Sequence, residues 1–207
     1  IGNPVRQLEA AADKLAVGDV DVQINVDTRD ELGTLARSFQ TMADNMKAQA
    51  TAAQKMAAGD LAVELKAKSE QDVLAKSIAL VVETLRKLVT ESDRLTKAAV
   101  EGKLGTRGNA DQFQGGYRQI VEGVNRTLEA VVGPLTVAAK YVDRISKGDM
   151  PPKITDAYAG DFNEIKNNLN GCIDNINNLL GETKRLTDAS ARAPARPGMR
   201  LRSAIPT

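Results

Sequence analysis

Gly18-Asp19-Val20-Asp21-Val22-Gln23-Ile24-Asn25-Val26-Asp27-Thr28-Arg29-Asp30-Glu31-Leu32-Gly33-Thr34-Leu35-Ala36 is the stretch on which the fold turns. Its first glycine ends a helix, as glycine commonly does just past the last helical turn. Val20, Val22, Ile24 and Val26 then alternate with polar residues, which alone would read as a short half-buried strand. Asp30-Glu31 opens a second helix with acids where the helix dipole favours them. Upstream, Asn3-Pro4 supplies a cap and a first-turn proline, and Val5, Leu8, Ala12 and Leu15 recur at helical spacing. Downstream, Leu32, Leu35, Phe39, Met42 and Met46 follow the 3-4-3-4 spacing of a coiled-coil seam.

Connector length decides how these two helices are arranged. Antiparallel neighbours need only about 2–8 residues between them, whereas residues 19–30 intervene here. A first helix of about 15 residues is roughly 22 Å long, and an extended chain needs about seven residues to run back that far. The connector therefore reaches back along the first helix, held by its alternating apolar side chains, and starts the second helix parallel to it. A genuine strand is the alternative, but the sequence offers it no partner.

The same unit recurs. Shifted by 130 residues, Pro4 falls on Pro134, Gly18-Asp19 on Gly148-Asp149, and the seam on Phe162, Ile165, Leu169, Cys172 and Ile176. Gly59-Asp60 and Gly102-Lys103 mark two looser copies between them. A period of this size signals an array of one supersecondary unit. In copy two Leu61, Val63 and Leu65 alternate, and Leu74, Ile78, Val81, Leu85 and Leu88 form the seam; copy three offers Ile120, Val124, Leu128 and Val131 after a glycine-rich connector. Neither Gly nor Pro falls between Leu35 and Ala58, so the second helix of one copy runs into the next. Gly133-Pro134 is expected to interrupt the helix between copies three and four. The predicted division is 1–48, 49–90, 91–132 and 133–181, with 182–207 starting a fifth helix. There Glu182-Thr183-Lys184-Arg185-Leu186-Thr187 matches Glu91-Ser92-Asp93-Arg94-Leu95-Thr96, and disorder is expected from 190.

Composition fits long thin helices: aromatics make up 3% of 207 residues and tryptophan is absent. Net charge is +1, which gives no indication of a nucleic-acid partner. The last 16 residues carry Arg192, Arg196, Arg200 and Arg202 and no acid, a solvated end rather than a lipid-binding patch. With no histidine, a Ser-His-Asp arrangement, a His-ligated metal and phosphohistidine chemistry are excluded from this segment. No nucleophile–base or metal constellation is visible, so the reading is of a non-enzyme with no cofactor, metal or small-molecule substrate. Cys172, the single cysteine, permits no intrachain disulfide; at the seam position of Met42 it is expected to be a buried small hydrophobe. Met42, Met46 and Met56 read as core fillers. Gly102-xx-Gly105-xx-Gly108 lacks the strand and the Lys-Ser/Thr of a phosphate loop. No run of 18 apolar residues occurs, and the initial Ile1 is expected to mark a fragment of a longer chain.

Two short helices with one apolar stripe each bury too little to offset conformational entropy. A second copy gives four parallel helices around a shared core, in which each seam residue gains about 1.5–3 kcal/mol on burial. The expected fold is thus all-α, with parallel four-helix coiled-coil bundles formed as a homodimer and stacked end to end.

Together Pro4, Gly18-Asp19, the alternating connector and Asp30-Glu31-Leu32-Gly33-xx-Ala36 with Phe39 and Met42 resemble the HAMP domain, the signal-relay module of bacterial chemoreceptors and sensor histidine kinases. Copy one is the nearest match. Copy four keeps Pro134, Gly148-Asp149 and Asp161-Phe162, with Asp161 where the family has Glu; copy two offers Asp72-Val73-Leu74; copy three has Lys103 after its glycine and only Gly116-Tyr117. The resemblance implies a parallel homodimer on the cytoplasmic side of the bacterial inner membrane. It would take a displacement from an upstream transmembrane or sensor helix and pass altered helix packing to a downstream signalling domain of the same chain. Residues expected to carry that role are Pro4, Gly18, Glu31, Leu35, Phe39, Met42, Gly59, Gly102, Pro134, Gly148, Asp161, Ile165 and Leu169, with Glu31 either a switch residue or a plain first-turn acid. The competing reading is a static dimeric coiled-coil spacer or scaffold, against which the recurring Gly-Asp breaks argue.

Overall fold

The computed structural model describes residues 4–192. Five α-helices follow one another: α1 (Pro4–Ala16), α2 (Glu31–Ala57), α3 (Val73–Val100), α4 (Gly115–Ser146) and α5 (Gly160–Arg192). A 3-10 turn, Ala110–Gln112, lies in the connector before α4. Among the described residues there is no strand, and the alternating stretch 20–26 is extended chain without a ladder.

Helix ends are set by glycine and aspartate. After α1, Gly18 takes a φ of +86°, the Gly18 N–H donates to the Leu15 carbonyl (3.0 Å) and the Asp19 N–H reaches back to Lys14 (2.9 Å). This paired closure satisfies two carbonyls that the helix leaves open, and it needs a left-handed residue at its centre. The same two bonds close α2 at Gly59, α3 at Gly102 and α4 at Gly148. At the other end, the Asp30 carboxylate accepts the Gly33 N–H (3.0 Å) and the Asp72 carboxylate accepts that of Ala75 (3.1 Å), each capping the helix that follows.

The chain divides into two units, Ile1–Val124 and Asn125–Thr207. In the first, the connector after α1 descends α2. Asp21 pairs with Lys47 (2.6 Å), the Ile24 N–H donates to Gln40 (2.9 Å), and the Thr28 carbonyl lies against Gly33. The end of α1 therefore stands level with the middle of α2, and α1 packs on α2 running parallel to it. Ala11, Leu15, Val22 and Ala43 form the buried cluster, with Ile24, Phe39 and Met46 against it. In the second unit the connector after α4 descends α5 in the same sense. Lys153 pairs with Asp174 (2.6 Å), the Ile154 N–H donates to Asn170 (2.8 Å), and Lys166 donates to the Asp156 carbonyl (3.3 Å).

Three expectations need correction. Gly133-Pro134 does not interrupt the helix, because α4 runs from Gly115 to Ser146 with Pro134 inside it. Proline removes one backbone bond but its fixed φ is helical, so the turns on either side carry the helix past it. Residues 182–192 begin no new helix; they are the last turns of α5, so Ser190–Arg192, expected to be disordered, are helical. The rest of that expectation, 193–207, lies outside the described residues. In α1 the inward face is Leu8, Ala11 and Leu15, while Val5 is 53% exposed and Ala12 half-buried. The connector claims the side of α1 nearest Ala11, which turns Val5 and Ala12 outward.

Candidate functional site

Side chains from the helices hold the backbone of the connectors. The Gln40 amide takes both sides of one residue pair: its oxygen accepts the Ile24 N–H and its nitrogen donates to the Val22 carbonyl (3.5 Å), with a further bond to Asp44 (2.8 Å). In the second unit Asn170 accepts the Ile154 N–H (2.8 Å) and returns a bond to the Ile154 carbonyl (3.1 Å). Gln40 and Asn170, like Ile24 and Ile154, are 130 residues apart, the spacing of the repeat itself. In the connector before α3, Arg86 donates instead to the carbonyls of Leu61 (2.6 Å) and Val63 (3.3 Å). A buried backbone polar group is costly without a partner, so these side chains are what allow an extended segment to lie against a helix.

The apolar residues of each second helix split into three classes at a fixed register. Ala36 and Ala43 in α2, Ala75 and Val82 in α3, Val121 in α4 and Ile173 in α5 are buried within the chain. Phe39, Ile78, Tyr117 and Leu169, which lie four residues before the second or only member of each set, are half-buried. Just before each buried residue stands an exposed one: Leu35 and Met42, Leu74 and Val81, Ile120, then Cys172, with Ile165 two turns before it. An apolar ridge thus returns at the same place on helix after helix. Between α3 and the start of α4, Leu88, Leu95, Ile120, Val121 and Val124 line an apolar cavity of about 290 Å³.

Electrostatics tie down the ends of the connectors. Asp30 is held below the ordinary carboxylate range first by the Thr28 hydroxyl and then by the Gly33 N–H, and Asp72 by the N–H groups of Lys68 and Ala75. Asp149, just past the glycine of α4, is lowered by Arg144, whose guanidinium contacts both its oxygens (2.6 and 3.2 Å). Among the described residues no group of three or more Cys, Asp or Glu could hold a metal ion, and no helix is long and apolar enough to cross a membrane.

Comparison with known proteins bears on this architecture. Residues 1–48 and 112–178 each match a family model described as HAMP domain, together covering more than half of the chain. The chain carries HAMP domains in tandem. A sensory transducer protein of Acetivibrio thermocellus is 38% identical over 84 residues, which are 41% of this chain and 15% of that protein's length. No solved structure matches the chain.

HAMP domains relay signals between modules of one polypeptide, and the residues read from the sequence for that role fall into distinct places. Pro4 opens α1, and Gly18, Gly59, Gly102 and Gly148 close α1 to α4. Pro134 sits inside α4 and, with Ala138, Tyr158, Phe162, Ile165 and Leu169, lines the seam between α4 and α5. Leu35, Met42 and Ile165 lie on the exposed ridge, and Phe39 and Leu169 at its half-buried flank. Glu31 and Asp161 stand exposed in the first turns of α2 and α5, and among the described residues the Glu31 side chain makes no hydrogen bond or ion pair. Cys172 is exposed rather than buried, since its register is that of Met42 and faces away from the chain's own packing. Sequence reasoning missed Gln40 and Asn170, whose only signal was two amides at the repeat spacing. It named Ala36 only within the family motif and missed Ala43, both too small to register as a seam.

Proposed function

We propose that the chain is a relay array of four HAMP repeats that works as a parallel homodimer. It takes a displacement from an upstream transmembrane or sensor helix and hands altered helix packing to a downstream chemotaxis-signalling or kinase module. The repeats are 1–48, 49–90, 91–132 and 133–181, sharing helices at their borders. The location is the cytoplasmic side of the bacterial inner membrane, where HAMP domains of membrane receptors work. The observation that carries the reading is the exposed ridge Leu35, Met42, Leu74, Val81, Ile120 and Ile165. Large apolar side chains in one register give each of these helices an apolar face that a second copy would cover, and each side chain gains about 1.5–3 kcal/mol on full burial. The cavity beside Ile120 is then filled by the facing chain. A core of Ala, Val, Leu and Met, with small residues at the intrachain contacts, admits more than one packing close in energy, which is what a relay requires.

The test is to place the segment in a receptor between its input and output modules and substitute Leu35, Met42, Val81 and Ile165 one at a time. The relay reading predicts output shifted in both directions, some variants locked on and others off. Uniformly inert variants would leave a static spacer.

A further inference from the structure

Glu91 is the one charged side chain among the described residues that is buried, at 9% exposure. It sits in α3, upstream of the connector that leads to α4. One carboxylate oxygen accepts the Asn109 N–H, and both oxygens pair with Arg94 (3.0 and 2.7 Å). The same guanidinium donates to the Arg107 carbonyl. Two residues of one helix thus hold the backbone of the third connector at an acceptor and at a donor two positions apart. Gln40, Arg86 and Asn170 hold the other three connectors from the helix that follows each of them.

The chain contains its own control. Glu182 and Arg185 repeat the Glu91–Arg94 pair in the same six-residue pattern and form the same ion pair (2.8 Å). There the glutamate side chain is 65% exposed, against 12% at Glu91. The pair by itself leaves its carboxylate in solvent; at Glu91 the added cover accompanies the docked backbone. A buried carboxylate is tolerated where it is paired and accepts further hydrogen bonds, and both conditions hold at Glu91.

We infer that Glu91 is a positioning residue that latches the third connector to the helix preceding it, so that displacement of α3 carries residues 107–109 with it. Its meaning for signalling rests on the relay reading above, while the latch itself rests on this geometry. Hydrogen bonds to charged groups contribute about 1.5–3 kcal/mol, so releasing one should speed local exchange by about 10- to 150-fold.

The experiment is amide hydrogen exchange along the whole chain for E91Q, R94Q and E182Q, with output measured in the same receptor. E91Q and R94Q are expected to accelerate exchange across 104–113 by tenfold or more while residues 20–26 keep the parent rate, and E182Q to change neither. Unchanged exchange at 104–113 in both E91Q and R94Q overturns the latch, as does an equal response to E182Q. If E91Q loosens the entire chain, R94Q decides: acceleration confined to 104–113 supports the latch, and acceleration spread over the chain overturns it. Accelerated exchange with unaltered output supports the latch and removes the relay reading instead.

Discussion

Replacing Gly33 by alanine should destabilise the first repeat, although helix propensity alone argues the opposite. Gly33 is the third residue of α2, and a Cβ built there lies 1.7 Å from the Thr28 carbonyl oxygen and 2.6 Å from its carbon. Both are backbone atoms, so no side chain can swing aside; to reach even 3.0 Å the connector must retreat by more than 1 Å. Thr28 is two residues from the Asp30 cap, and its hydroxyl also bonds that carboxylate, so the retreat loosens the cap on Gly33. Gly→Ala in a helix gains about 1 kcal/mol. Overpacking costs about 1–3 kcal/mol, and a lost cap about 0.5–2 kcal/mol. The net expectation is a loss of roughly 0.5–4 kcal/mol. Urea unfolding followed by helical circular dichroism measures it, with Gly171→Ala as the control. Gly171 lies inside α5 with nothing within 4 Å of its Cβ position, so that variant should gain about 0.4–1 kcal/mol. A Gly33→Ala protein as stable as the parent, or more so, would refute the close approach of connector and helix.

Three further outcomes follow from the same contacts. Gln40→Leu and Asn170→Leu each strand a connector N–H and should cost about 1–3 kcal/mol, with accelerated amide exchange confined to 20–26 and 152–156 respectively. Ile173→Ala empties a site 2% exposed and should cost about 2–5 kcal/mol at any protein concentration, whereas Cys172→Ala should act only on the apparent association constant in sedimentation. Asp30 and Asp72 have folded pKa values below the ordinary one, so their stabilisation is complete above about pH 3.9 and lost as pH falls through the lower folded values. Acid unfolding should therefore set in below about pH 4, Asp30→Asn should flatten that loss, and without histidine the melting temperature should be level between about pH 5.5 and 8.

Helix starts and stops were the most legible part of the chain. Gly-Asp pairs and N-terminal aspartates are local devices whose geometry depends on a few neighbouring residues, and Gly18, Gly59, Gly102, Gly148, Asp30 and Asp72 all act as their types imply. The direction of the connectors was also legible, because a length of chain can be weighed against the length of a helix. What the pattern concealed was which side of each stripe faces inward. Leu35, Phe39 and Met42 look alike in a seam, yet they differ in exposure because Ala36 and Ala43 admit α1 and its connector at close range. Pro134 misled for a related reason: proline breaks a helix that stands alone, whereas α4 carries seams on both sides of it. Glu91 gave no sign beyond an echo at Glu182, since the backbone group it holds, the Asn109 N–H, is eighteen residues away.

The central claim is that the exposed ridge faces the same ridge of a second copy, in parallel and in register. Single cysteines at 35, 36, 39, 42 and 43, in a Cys172→Ser background, test it by same-residue disulfide formation at micromolar concentration. The account predicts rapid crosslinking at 35 and 42, slower at 39, and little at 36 and 43, which the chain's own packing covers. Equal rates at all five positions, or rates highest at 36 and 43, would contradict it.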